Sequence, residues 1–250
     1  MRTIKKVASH IFIDGFGGMT QGLFATLIIG TMIQQIGLLI GGSTGNVIYL
    51  LGKAAAALTS AGIGVGVAVK YGESPLVTVS AAVAAMVGGY AGKITGGTFF
   101  VDGNAVLAGP GEPLGAFIAA FAGITCGHLV SGKTKVDIIV TPVITIGAGS
   151  VVGLLVGPPI SQMMTGLGSI INWATEQRPF IMGIVVSVVM GMVLTLPISS
   201  AALGIILNLS GLAAGAATIG CCCNMVGFAV ASYRENKFGG LVAQGLGTSM

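Results

Sequence analysis

From Pro179 to Tyr233 the chain runs for 55 consecutive residues without an Asp, Glu, Lys or Arg, and two further stretches, 15 to 52 and 138 to 175, do so for 38 residues each. A water-soluble fold cannot be built from such runs. One crossing of the hydrocarbon layer takes about 20 apolar residues, so each stretch holds room for roughly two passes and the medium around it is lipid. Only 7% of the residues are charged and 54% are hydrophobic, against roughly 25% charged in ordinary soluble domains, so water cannot face most of the surface.

The formal charge of +4 does not point to nucleic acid, because the eleven basic residues fall in the short connections between apolar runs, where they act as topology signals. Glycine supplies 43 of 250 residues. In a bilayer small residues let helices approach closely, and the spacings Gly123/Gly127, Gly149/Gly153 and Gly211/Gly215, with Gly62, Gly64, Gly66 and Gly88, Gly89, Gly92, fit generic helix packing. Cys126 and the trio Cys221, Cys222, Cys223 sit inside apolar segments and read as small hydrophobes. About 100° separates successive side chains around a helix, so only two of the trio easily share a ligand; no metal and no cofactor is expected.

Crossing-length segments are predicted at 16 to 40, 46 to 69, 75 to 95, 113 to 131 and 137 to 156, then a Gly- and Pro-broken region, then 179 to 196 and 212 to 231. Met1 to Lys6 is basic with no Ala-x-Ala-like cleavage site behind it, so the first span stays uncleaved. Arg2, Lys5, Lys6, Lys70, Lys133 and Lys135 put the N-terminus and alternate connections in the cytoplasm, while 41 to 45 and 96 to 111 carry no Lys or Arg. Arg178 and the run 233 to 237 both read as cytoplasmic, which makes the chain return within 157 to 177. That stretch is short for a span and holds Pro158, Pro159, Gly166 and Gly168, so a broken or re-entrant element is expected. The Pro-Ile-Ser at Pro159 with Gly166 behind it repeats at Pro197 with Gly204. Paired Gly/Pro breaks of this kind point to a transporter's binding site, with coincidence in a low-complexity chain as the rival.

Gly127 to Thr134 matches GxxxxGK[ST] but runs off the end of a lipid-embedded segment instead of following a buried strand, so it is read as accidental. HExxH, GxSxG and GxGD are absent, and no catalytic centre is expected. Polar residues at depth are costly unless they face a cavity or a partner, which makes His128, Asn172, Ser199, Ser200, Asn208 and Asn224 candidate contacts for a hydroxylated solute, or bridges between helices. The strongest candidate is Glu112 in Gly109-Pro110-Gly111-Glu112-Pro113, a carboxylate at a helix N-terminus with Pro at the first helical position. It can accept two sugar hydroxyls, with the helix dipole keeping it ionised, or merely cap the helix. Lys53, Lys93 and Asp102 lie toward the same outer face and form a charged vestibule with it, or snorkel.

At the Gly109–Pro113 run, and again at 196 to 201, 211 to 220, 232 to 236 and 240 to 249, the chain resembles the enzyme IIC-like membrane family of the bacterial phosphotransferase system, nearest the perfringolysin O regulator branch. The resemblance implies a dimeric sugar permease in a bacterial plasma membrane, working with separate B and A components that relay phosphate. It also implies that Gly109 to Pro113 stands for the family's glutamate motif, although it precedes the fourth span and not a late re-entrant hairpin. Relatives continue past Met250, which ends an apolar run, so the chain is expected to be truncated at its C-terminus.

The expected molecule is an all-α polytopic membrane protein, one transmembrane domain over residues 1–250, with about eight transmembrane helices and broken or re-entrant elements. The expected activity is translocation of a small hydroxylated, sugar-like solute by alternating access. A membrane-bound regulator or sensor that binds a ligand without passing it is the alternative.

Overall fold

A computed structural model describes residues 14–101, 103–107, 109–194, 204, 207 and 209–247. Nearly all of them are helical. The helices are α1 (Phe16–Leu23), a π-helical stretch Phe24–Ile28, α2 (Ile29–Ile40), α3 (Gly42–Ala57), α4 (Thr59–Lys70), α5 (Pro75–Gly89), α6 (Ala91–Thr95), α7 (Pro113–Val130), α8 (Asp137–Gln177), α9 (Pro179–Val193) and α10 (Gly211–Gly247), the last broken by a kink at Lys237, where φ is +53°. A two-stranded antiparallel ribbon, β1 (Phe100–Val101) with β2 (Asn104–Ala105), is the one departure.

Four helical runs are long and apolar enough to cross a membrane: Phe16–Ile40, Pro113–Val130, Asp137–Gln177 and Gly211–Val242. The bent pair α3 and α4 makes a fifth, and α5 and α9 are shorter apolar helices. This is a polytopic all-α membrane fold. Several helices begin where the chemistry dictates. Ser74 and Glu112 each accept a hydrogen bond from a first-turn amide and are followed by Pro at the first helical position, whose missing N–H costs nothing there.

Two compact units divide within α8, Met1–Ser161 and Gln162–Met250. The first is an up-and-down bundle held by small residues. Gly22 faces Gly62, Gly66 faces Gly18, Gly88 faces Gly115 and Ala119, and Gly149 and Gly153 face Ala84, Ala119 and Gly88, each so closely that a Cβ would collide. Its fully buried side chains are accordingly mostly small: Ala81, Ala84, Ala85, Ala116, Ala119 and Ala120 are all at 0% exposure. Close backbone approach without large side chains is how helices gain dispersion contacts in lipid.

Three expectations change. The predicted span 46 to 69 is two helices bent by 53° at Leu58, and the π-helical stretch Phe24–Ile28 packs against this break from the neighbouring run. The expected break at 157 to 172 is absent: α8 is continuous over 41 residues with Pro142, Pro158 and Pro159 inside it. At about 1.5 Å per residue this helix is about twice as long as the hydrocarbon layer is thick. Each internal Pro removes one backbone bond, but neighbouring helices restrain the backbone around it; Gly157 lies tight against Ala91 and the Gly88 carbonyl. The counterpart break at 196 to 210, and with it the proposed repeat, falls largely outside the described residues.

The third change concerns the second unit. Gly220 meets Ser187, Gly191 meets Gly220 and Asn224, and Cys221 lies beside the Met190 carbonyl, so α9 and α10 run parallel. Arg178 and the run 233 to 237 therefore stand at opposite ends of this pair. The assumption that both lie on one face treated 179 to 196 and 212 to 231 as a simple antiparallel pair.

Candidate functional site

The irregular backbone of the first unit converges on the Gly109–Pro113 run. The α3/α4 break at Leu58 leaves the Ala57 carbonyl at a helix end, and the α5/α6 break at Tyr90 does the same for Gly89. The loop supplies the partners. Glu112 N–H donates to the Gly89 carbonyl at 2.7 Å, and the Ser60 hydroxyl donates to the Pro110 carbonyl at 2.9 Å. The Tyr90 hydroxyl donates to the Gly109 carbonyl and lies 3.2 Å from that of Ala57. Tyr90 is 1% exposed and Ser60 fully buried. Unpaired backbone groups at this depth would cost several kcal/mol each, about enough to forbid the breaks without these partners.

Glycine is required at the centre of this docking. Gly111 has φ +76°, and a side chain there would run into the Ser60 hydroxyl and the Gly89 carbonyl. The loop thus presses its backbone against both helix breaks, which only Gly permits.

Glu112 emerges from this junction as the cap of α7, its Oε1 accepting from the Leu114 N–H at 3.4 Å. Burial is the larger influence on its carboxyl and pushes it above the ordinary carboxylate range, while the Leu114 amide pulls the other way. The helix end favours the ionised carboxyl and burial opposes it, burial being the larger of the two influences. Among the described residues no ion pair to Glu112 is formed. Lys93 places its ammonium 5.4 Å from the Tyr90 ring centroid, Lys53 is exposed on α3, and Asp102 lies outside the described residues. Of the vestibule, Lys93 lies over Tyr90, and Tyr90 is hydrogen-bonded to the loop that carries Glu112.

His128 sits at the other end of α7, about 24 Å away at 1.5 Å per residue. Its Nδ1 is 3.0 Å from Glu73 in the α4–α5 turn, so the structure does not bring it to Glu112. Asp14, Lys70, Tyr71, Lys133 and Asp137 gather at this same end. Burial, then the Asp14 carboxylate, raise the Tyr71 phenol to about 12. The GxxxxGK[ST] match also ends here: Lys133 Nζ donates to the Leu129 carbonyl at 2.7 Å and caps the C-terminus of α7.

In the second unit Asn172 accepts the Ser210 N–H on Oδ1 at 3.1 Å, which ties the end of α8 to the start of α10. Asn224 lies at the α9–α10 crossing with its Nδ2 buried and without a hydrogen-bond partner among the described residues. Ser199, Ser200 and Asn208 lie outside the described residues. Sequence reasoning missed Tyr90 and Ser60. A lone aromatic in Gly88-Gly89-Tyr90-Ala91-Gly92 and the polar Thr59-Ser60 pair inside an apolar run were the available signals.

Several apolar helices of crossing length, two helix breaks and a carboxylate-bearing loop docked on them define a polytopic all-α membrane protein. The chain belongs to the phosphotransferase system EIIC family, whose model matches residues 13–250. It is thus a multi-pass membrane protein of the phosphotransferase permease type. No curated protein and no solved structure matches it.

Proposed function

We propose that this protein moves a small hydroxylated, sugar-like solute across a bacterial plasma membrane by alternating access, with Glu112 as the principal solute contact. In this reading it acts as a homodimer with its N-terminus in the cytoplasm, and separate B and A components supply phosphate. The observation that carries the proposal is the seating of Glu112: a part-buried carboxylate without an ion-pair partner among the described residues, on a loop bonded to two helix breaks. A carboxylate offers two oxygens to a pair of sugar hydroxyls, and bonds to a charged acceptor are about twice as strong as neutral ones.

The hinge geometry supports the alternating step. The hairpin α2–α3 is knit to itself at Gly30/Gly52 and Gly37/Gly45, so it moves as one body about the π-helical stretch and Leu58. Tyr90 and Ser60 join that hinge to the loop bearing Glu112. A solute that reorganises the loop thereby biases the hairpin, as a conformational coupling requires. Asn224, with its Nδ2 buried and unpartnered among the described residues, is proposed as a solute contact within the second unit, with Asn172, Ser199, Ser200 and Asn208; His128, paired with Glu73 at the far end of α7, is left out of the proposed contacts.

The test is a thermal-shift screen of sugars and polyols on purified protein, followed by uptake into proteoliposomes. A stabilising solute should lose its effect in Glu112→Gln, and an unchanged shift would remove Glu112 from the site. Stoichiometric binding without flux, with B and A components supplied, would instead identify a sensor.

A further inference from the structure

In the second unit, α9 and α10 pack through Val186, Met190 and Ala217 and come closest where Gly191 and Gly220 meet, and from there they splay toward Arg178. The splay opens a groove of about 510 Å³ lined by Gly183, Ile184, Ser187, Leu212, Gly215 and Ile219 among others. Among the described residues, no atom outside their own helix backbone lies within 4 Å of where a Cβ on Gly183, Gly211 or Gly215 would stand. These glycines are therefore not there for helix contact; they hollow out the groove.

The groove's mouth is electropositive. Because α9 and α10 run parallel, both helix N-termini open at this end, each carrying about half a positive charge. α9 has no side-chain cap. Arg178, exposed at its N-cap position, has no ion-pair partner among the described residues. Glu176, also exposed on this turn, offsets Arg178, and the C-terminus of α8 at Gln177 cancels one helix end, which leaves about half a net positive charge at the mouth. Trp173, 63% exposed one turn earlier, is the residue type that anchors at the headgroup level.

We propose that this groove seats one anionic phospholipid, with an acyl chain along Gly183 and Gly215 and its phosphate at Arg178 and the start of α9. An acyl chain matches the lining, whose polar contribution is confined to a few hydroxyls such as Ser187 and Thr175. A phosphate matches the mouth, where uncapped amides and a guanidinium face headgroup depth. The proposal is independent of solute transport through Glu112.

The experiment is native mass spectrometry of the full chain after exchange into detergent containing phosphatidylglycerol or phosphatidylcholine of the same acyl composition. One phosphatidylglycerol per chain should persist where phosphatidylcholine does not, and glycerol phosphate without a tail should not displace it. Gly183→Leu and Gly215→Leu fill the groove and should abolish retention, with melting followed by circular dichroism as the folding control. Arg178→Gln, on an exposed side chain, should cut the preference for phosphatidylglycerol about fivefold. Equal retention of both lipids by the parent would overturn the proposal. So would unchanged retention in the leucine variants, or loss of a dimer in those variants with lipid retention unaltered, which would make a second copy the occupant. Should the leucine variants fail to fold, the Arg178→Gln comparison decides: an unchanged lipid preference there overturns the seat.

Discussion

Gly149 and Gly153 in the first unit and Gly211 and Gly215 in the second have the same small-xxx-small spacing, yet the first pair is packed against Gly88, Ala84 and Ala119 and the second meets no neighbour among the described residues. The difference lies in what opposes them. α7 and α8 are antiparallel neighbours joined by a short turn, and Gly123 and Gly127 meet the Thr145 region of α8 with small residues on both sides. α9 and α10 are parallel, pack through Val186, Met190 and Ala217, and carry Phe180 and Leu212 where they diverge. Spacing therefore grants permission for close approach, and the partner's residues at the same level decide whether it is used.

The largest expected effect comes from Gly88→Ala, which drives a Cβ into Ala119 and the Gly115 carbonyl. Backbone cannot rotate away as a flexible side chain can, so destabilisation of about 3 kcal/mol, the upper part of the overpacking range, is expected in detergent melting followed by circular dichroism. A change below about 0.5 kcal/mol would show the bundle to be looser than this comparison requires.

Tyr90→Phe comes next. It removes the donor shared by the Gly109 and Ala57 carbonyls and should cost about 1–3 kcal/mol, the penalty for orphaning a buried acceptor. If the loop also couples to the hinge, the same variant lowers solute uptake more than it lowers solute-induced stabilisation. Equal losses in both would separate Tyr90 from the hinge.

Glu112→Gln should act through pH. The folded carboxyl lies above its ordinary value, so the folded state binds the proton more tightly than the unfolded one. Its contribution to stability is complete below the unfolded value near 4.5 and is lost as pH rises through the raised folded value. The parent's melting temperature should fall across that window and the Gln variant's should not. Parallel profiles would mean that the carboxyl is solvated in the bilayer.

Gly215→Ala tests the other side of the comparison, with a smaller effect of opposite sign. A methyl group there meets no protein atom among the described residues, so in lipid-free detergent the helix gains the roughly 0.5–1 kcal/mol by which Ala exceeds Gly in a helix interior. Gly220→Ala, five residues on, faces Ser187 backbone and should destabilise. The two substitutions having the same sign would dissolve the distinction between contact and groove.

The crossings were legible because lipid demands long uncharged runs: 16 to 40 was read with the same bounds the structure shows, and Glu112 was singled out from its Gly/Pro setting. What could not be read were features set by tertiary partners. Leu58 carries no Gly or Pro, and its break depends on Tyr90 and Ser60 reaching carbonyls that are far away in sequence. Conversely, Pro158 and Pro159 looked like a break and were absorbed in a continuous helix. The parallel course of α9 and α10 was hidden because charge at both ends of an apolar run is symmetric with respect to direction.

His128→Gln has the smallest expected effect and probes the end of α7 opposite Glu112. The imidazole is 70% exposed while the Glu73 side chain is 9% exposed, so the histidine itself gains little from packing, and exposed ion pairs are worth about 0.2–1 kcal/mol. Glutamine keeps an N–H donor for the carboxylate, which holds the loss at the low end of that range. His128→Ala leaves the little-exposed Glu73 carboxylate without its partner and should cost more than the Gln variant, because the unpaired charge and not the lost contact sets the penalty. Solute-induced stabilisation should be the same in both variants and the parent, since about 24 Å separates this pair from Glu112 along α7. A solute shift that disappears in His128→Gln would place the binding site at this end of the bundle and remove it from the Gly109–Pro113 loop.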